Sequence, residues 1–178
     1  LFSDSNNIRG WVRVDSDVEG LTGFYLNGNF VQTADGGDFV QPALSLTYPR
    51  VVETSTTSTE INITNPNETV ASVVLTLFDA TGVQRDVETV NVPVNGQISG
   101  TVSGLMGVES IDGGYLTAQS SSPILGTAVV SESNSDFSTL NAIGTPSVRT
   151  LIFPHIASGM DWATTLFLLN TGSAAKWV

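Results

Sequence analysis

The 178-residue chain carries 17 acidic residues against 6 lysines and arginines, a net charge of -11, with no cysteine and a single histidine. Disulfides, thiol chemistry and paired-histidine metal sites are thereby excluded, and so few cations form no basic patch for nucleic acid or anionic headgroups. No apolar run approaches the roughly 20 residues of a spanning helix, so no membrane insertion is expected. Along the chain, apolar and polar residues alternate with a period of two, as half-buried strands require, and helical spacing is absent. Trp11-Val12-Arg13-Val14 reads as the first such strand, followed by the acidic turn Asp15-Ser16-Asp17-Val18-Glu19-Gly20 and a second acidic turn at Asp35-Gly36-Gly37-Asp38. In Glu60-Ile61-Asn62-Ile63-Thr64 the two isoleucines share a face, as do Val73, Leu75 and Leu77 in the next stretch. Asp79-Ala80-Thr81-Gly82 supplies a turn, and Val90, Val92 and Val94 resume the alternation. Asn95-Gly96 suits the positive φ values of a type I′ turn and predicts a hairpin that pairs Val94 with Ile98. Tyr115-Leu116-Thr117-Ala118 reads as a further strand. Many short strands with regularly spaced turns predict an all-β, antiparallel β-sandwich.

The chain also repeats itself. Tyr48-Pro49-Arg50-Val51 matches Phe153-Pro154-His155-Ile156, and the same offset of 105 carries Ile61, Ile63 and Asn65 onto Leu166, Leu168 and Asn170. Gly10-Trp11-Val12 matches Gly114-Tyr115-Leu116, Ser16 matches Ser120, and Leu21-Thr22-Gly23 matches Ile124-Leu125-Gly126 after a one-residue slip. Leu1 then falls opposite Leu105 and Val178 opposite Val73. The expected organisation is one complete unit, residues 47–148, between the closing strands of a partial unit at 1–46 and the opening strands of a following one at 149–178. Unit positions 74–104 have no counterpart in the flanks, which are expected to fold together or to pair with another chain. Unpaired strand edges invite strand addition, and a head-to-tail contact of that kind builds an open filament.

Candidate chemistry is sparse. Asp15, Asp17 and Glu19, with Gly20, imitate the opening of a calcium loop, yet the twelfth position is Leu26 and the flanks read as strands. These three acids are weak metal candidates, and no metal or cofactor is expected. His155 has no Gly-x-Ser-x-Gly partner, and its repeat counterpart is Arg50, so it is not assigned a catalytic role. No carboxylate pair stands in a glycosidase-like context, and an enzyme is not expected. Trp11, Tyr25, Tyr48, Tyr115 and Trp162 offer stacking surfaces. Trp11, Tyr115 and Trp162 are the candidates for an interface with a neighbouring unit or for a ligand platform. Asn62 and Asn67 fit glycosylation sequons by coincidence of composition, and a lysine–asparagine crosslink, which needs a core lysine, is not expected from Lys176, the sole lysine, beside the end of the partial unit.

The succession Phe153-Pro154-His155-Ile156-Ala157 and Trp162 to Asn170, with Leu77-Phe78-Asp79-Ala80-Thr81-Gly82 and Val92-Pro93-Val94-Asn95-Gly96, resembles bacterial extracellular Ig-like tandem-repeat domains. The resemblance implies Ig-like sandwich units at the cell surface or outside it, in stalks, adhesins or fibres, and it supplies no catalytic residue. The expected function is a structural repeat of a bacterial extracellular filament or surface stalk, with copies of itself or neighbouring repeats as partners. The alternative is an accessory module of a secreted protein that binds surface glycans or proteins.

Overall fold

The alternating stretches form antiparallel ladders in a computed structural model of the chain, which describes residues 10–28, 34–133, 136–144, 150–153, 156–159 and 164–172. The strands are β1 (Phe24–Gly28), β2 (Ala34–Asp38), β3 (Ala43–Glu53), β4 (Thr57–Asn65), β5 (Ala71–Asp79), β6 (Gln84–Val92), β7 (Gly96–Thr101), β8 (Ile111–Glu132), β9 (Phe137–Asn141) and β10 (Ile143–Gly144), with one short helix, α1 (Val102–Met106), before β8. β1 and β2 make a separate two-stranded sheet, while β3 to β10 form one connected system.

That system divides along β8. Its first half, up to Ser120, lies between β3 and β5, giving a sheet ordered β10, β3, β8, β5, β6. Its second half, from Leu125, lies between β4 and β9, giving a sheet ordered β9, β8, β4, β7. The crossing falls at Ser121-Ser122-Pro123, where proline has no N–H to give a ladder. Local polar groups serve the backbone there instead: Ser72 N donates to Ser121 Oγ (3.0 Å), Ser122 N to Ser120 Oγ (3.3 Å), and Asn67 Nδ2 to Pro123 O (2.8 Å). Pro49 likewise coincides with a register shift in β3, between Tyr48 and Val51.

One hydrophobic cluster is fed by both sheets, and its buried members lie between Leu46 and Ala142. Val73, Leu75 and Leu77 point inward from β5, Ile61 and Ile63 from β4, Leu116, Ala118, Ile124 and Ala128 from β8. Each large aliphatic side chain so buried contributes about 2 kcal/mol relative to exposure. Tyr48 is fully buried at the centre, its hydroxyl donating to Asn62 O across the core (3.2 Å). Its ring occupies the space a side chain would need at Gly126.

Two polar side chains stitch the sheets together. Thr59 Oγ1 accepts from Val52 N (2.9 Å) and donates to Val52 O (2.8 Å), tying β4 of one sheet to β3 of the other. Asn65, fully buried, directs Nδ2 to the carbonyls of Thr69 (2.7 Å), Val92 (3.1 Å) and Pro93 (3.0 Å). Its Oδ1 accepts from Asn67 N (3.0 Å) and Asn67 Nδ2 (2.7 Å), so one side chain fixes the end of β4 and the departure of β6.

Four expectations are corrected. Asn95-Gly96 does not close a hairpin: only Asn95 has positive φ (47°), Gly96 N donates to Pro93 O (3.1 Å), and the turn sends the chain from β6 in the first sheet to β7 in the second. A type II turn needs positive φ at one central residue where type I′ needs it at two, and partial burial of Ile98 against the core, opposite Ile63, favours the sheet change. Trp11–Val14 forms no strand, and Val12 and Val14 are exposed. Asp35–Asp38 is not a loop but most of β2. Helix α1 was not expected; Thr101 caps its start by accepting from Gly104 N, and Gly107 ends it with φ 67°.

Replacing Asn65 with alanine strands buried carbonyls and N–H groups together, and a loss of about 3 kcal/mol in urea unfolding is expected; a loss below about 1 kcal/mol would show that other donors substitute. At the β5–β6 turn, Asp79 Oδ1 accepts from Thr81 Oγ1 (2.7 Å), Thr81 N (2.9 Å) and Val83 N (3.1 Å). These bonds, the Thr81 hydroxyl first, hold its carboxyl below the usual range. The contribution is therefore complete above the unfolded carboxylate pKa and is lost as pH falls through the lower folded value. The gap in melting temperature between the parent chain and Asp79→Asn should shrink on acidification, and a gap that stays constant would remove the charge from the account.

Candidate functional site

The surfaces flanking the central core carry the most informative geometry. β1 and β2 pair Phe24 with Asp38, Tyr25 with Gly37, Leu26 with Gly36, Asn27 with Asp35 and Gly28 with Ala34. β8 and β9 pair Thr127 with Asn141, Ala128 with Leu140, Val129 with Thr139, Val130 with Ser138 and Ser131 with Phe137. Every one of these five pairs coincides at a shift of 103, the offset between Gly23 and Gly126.

The segment after the core behaves in the same way. Ala157 N donates to Thr164 Oγ1, which donates back to Ala157 O, both at 3.0 Å. This is the Val52–Thr59 stitch displaced by 105. Gly172 N donates to Asn170 Oδ1 (3.0 Å), as Asn67 N does to Asn65 Oδ1. What differs is burial: Leu151, Phe153, Ile156, Leu166 and Leu168 are 43–62% exposed, whereas Leu46, Tyr48, Val51, Ile61 and Ile63 are 0–2% exposed. In the leading segment Val12, Val14 and Leu21 are 57–72% exposed against 0–1% for Leu116, Ala118 and Ile124.

Polar side chains dock the β1–β2 hairpin on β9, an outer strand of the second sheet. Asp35 Oδ2 accepts from Thr139 N, Asn141 Nδ2 donates to Asp38 O (2.9 Å), and Tyr25 Oη donates to Asn141 Oδ1 (3.0 Å). Partial burial, and then the Asp35 charge, raise the Tyr25 phenol above its ordinary pKa, so it stays a donor at neutral pH. A side chain at Gly37 would press on the Asn141 amide. No sequence motif marks these docking residues; the offset of 103, continued through 24–38, is the signal that locates them.

The residues singled out from sequence are dispersed. Asp15 pairs with Arg13 (2.8 Å) on the surface, and Asp15, Asp17 and Glu19 are exposed; no group of three metal-ligating side chains is gathered among the described residues. Trp11 donates through Nε1 to Asn95 O (3.3 Å) beside a shallow groove of about 470 Å³ lined by Gly10, Asn95, Gly96, Gln97 and Ser99. Tyr115 stacks on Phe78, ring centres 4.7 Å apart and planes within 8°. Phe78 and Asn95 lie towards opposite ends of β5, about 20 Å apart at the strand rise, so Trp11 and Tyr115 form no common platform. Trp162, His155 and Lys176 lie outside the described residues. Asn141→Ala should release the hairpin, speeding amide exchange in β1 and β2 about tenfold, as loss of one to two net hydrogen bonds implies. Exchange in β4 and β5 should stay unchanged; equal acceleration there would show that the hairpin has no independent opening.

No protein-family model matches the chain, and no curated protein matches it in sequence. Among solved structures it is similar to the crystal structure of Thermotoga maritima 1070, with 12% identity and a TM-score of 0.52 over 59% of this chain and 97% of that one. At such identity the likeness concerns the fold alone, and it establishes an all-β antiparallel architecture.

Proposed function

We propose that this chain is a non-enzymatic structural repeat of a bacterial extracellular filament or surface stalk, built from Ig-like β-sandwich units in tandem. The observation that carries the reading is the recurrence of whole structural devices at fixed offsets: a five-pair hairpin at 103, and a threonine stitch and an asparagine turn at 105. Stacking of like units is how repeat proteins bury surface that a single unit leaves open. Support for an extracellular, bacterial placement comes from the Ser-, Thr-, Asn-, Gly- and Val-rich, lysine-poor composition, which resembles that of bacterial surface proteins, and from the resemblance carried by Phe153–Asn170. A glycan- or protein-binding accessory module would draw its support from clustered exposed aromatics, and the separation of Trp11 from Tyr115 weighs against it. Electron microscopy of native material, with intact-mass measurement of the same sample, tests the reading. Fibres or beaded rods are expected, while compact, monodisperse particles that retain a glycan would overturn it.

A further inference from the structure

We infer that the two flanks are the halves of one joint between copies of this chain: residues 10–28 of one copy pair with residues 150–153 and 164–170 of the next. The inference deepens the repeat reading and rests on it. Within the core unit, β8 lies between β9 and β4, and its first half also pairs with β3. The leading segment reproduces the β8–β9 hairpin, yet among the described residues β1 pairs with β2 alone, leaving open the edge that β8 gives to β4. The trailing segment reproduces the β3–β4 stitch and exposes the side chains that β3 and β4 bury against β8. Each flank therefore lacks what the other presents.

The register follows from the unit. Ile63 opposite Gly126 becomes Leu168 opposite Gly23, Thr64 opposite Leu125 becomes Leu169 opposite Thr22, and Tyr48 opposite Leu116 becomes Phe153 opposite Val12. The shape fits as well. Tyr48 fills the space above Gly126, whereas nothing lies within 4 Å of a Cβ built at Gly23, and Phe153 is an exposed ring of matching size. Within one chain each flank already has an attachment of its own. The hairpin is held on β9 of the second sheet through Asp35, Tyr25 and Asn141, while Phe167 lies under Arg50 of β3 in the first, with the guanidinium carbon 4.6 Å from the ring centre. A second copy supplies the missing half without disturbing either. The contact is heterologous and head-to-tail, so it propagates.

The chain has no cysteine, so engineered pairs report cleanly. Thr22→Cys/Leu169→Cys, oxidised in the 178-residue chain, should give a ladder of dimers, trimers and longer species on a non-reducing gel. Thr22→Cys/Thr165→Cys, four residues out of register, should give none, because cysteines whose Cα atoms lie more than about 7 Å apart do not bridge. Adding Gly23→Val to the in-register pair should abolish the ladder, with an unchanged urea midpoint showing that the core unit is folded. A disulfide confined to the monomer, equal cross-linking in both registers, or no cross-link at all overturns the joint. These failures leave the repeat reading standing if fibres are seen by microscopy, since copies would then meet through other surfaces. Globular particles that nevertheless cross-link in register would overturn the repeat reading and keep the joint.

Discussion

Both sheets depend on β8. A strand of 22 residues with a period of two must present one face to the core throughout, and β8 does so on either side of its crossing: Leu116 and Ala118 before it, Ile124 and Ala128 after it. Because β3 and β5 flank one half and β4 and β9 the other, no strand of either sheet is placed until β8 is. Such long-range pairing is established against loop-closure entropy, so the polar stitches at Thr59 and Asn65 matter beyond their number. They connect β3, β4 and β6, elements that the ladders themselves leave in different sheets.

Alternation made much of this legible. Ile61 with Ile63, and Val73 with Leu75 and Leu77, were readable as core faces because a half-buried strand leaves its period in the sequence. Features governed by tertiary context were not. Ser121-Ser122-Pro123 has turn chemistry, so one strand passing through it reads as two elements with a loop between them. Asp35-Gly36-Gly37-Asp38 has the composition of a loop, yet pairing with β1 makes it a strand. Five residues of helix are too few to show a 3.6-residue period. The interaction surface was legible in part: the repeat offset located it, while the docking of Asp35 and Tyr25 on β9 depends on residues about a hundred positions away in sequence.

The flanks and the core use the same local devices to different ends. Around residues 52 to 67 the threonine stitch and asparagine turn belong to the core unit, where β4 pairs with β8 and Ile61 and Ile63 are fully buried. At residues 156–159 and 164–172 the same hydrogen bonds recur while Ile156, Leu166 and Leu168 stay outside. Local polar geometry therefore recurs in both places, and burial is contributed separately by whatever strand lies across it. That separation is what lets one sequence pattern serve both as part of a finished core and as an open surface.

The chain enters the core unit at Ala43 and leaves it at Gly144 on adjacent, oppositely directed strands, with only Thr47–Ile143 and Leu46–Gly144 paired between β3 and β10. Tension applied through the flanks does not shear the long β3–β8 ladder, whose bonds would resist together. It peels the two-pair ladder from its open end, one pair at a time. In the proposed array β10 would then act as a latch, releasing under load while β8 and the core it carries stay folded.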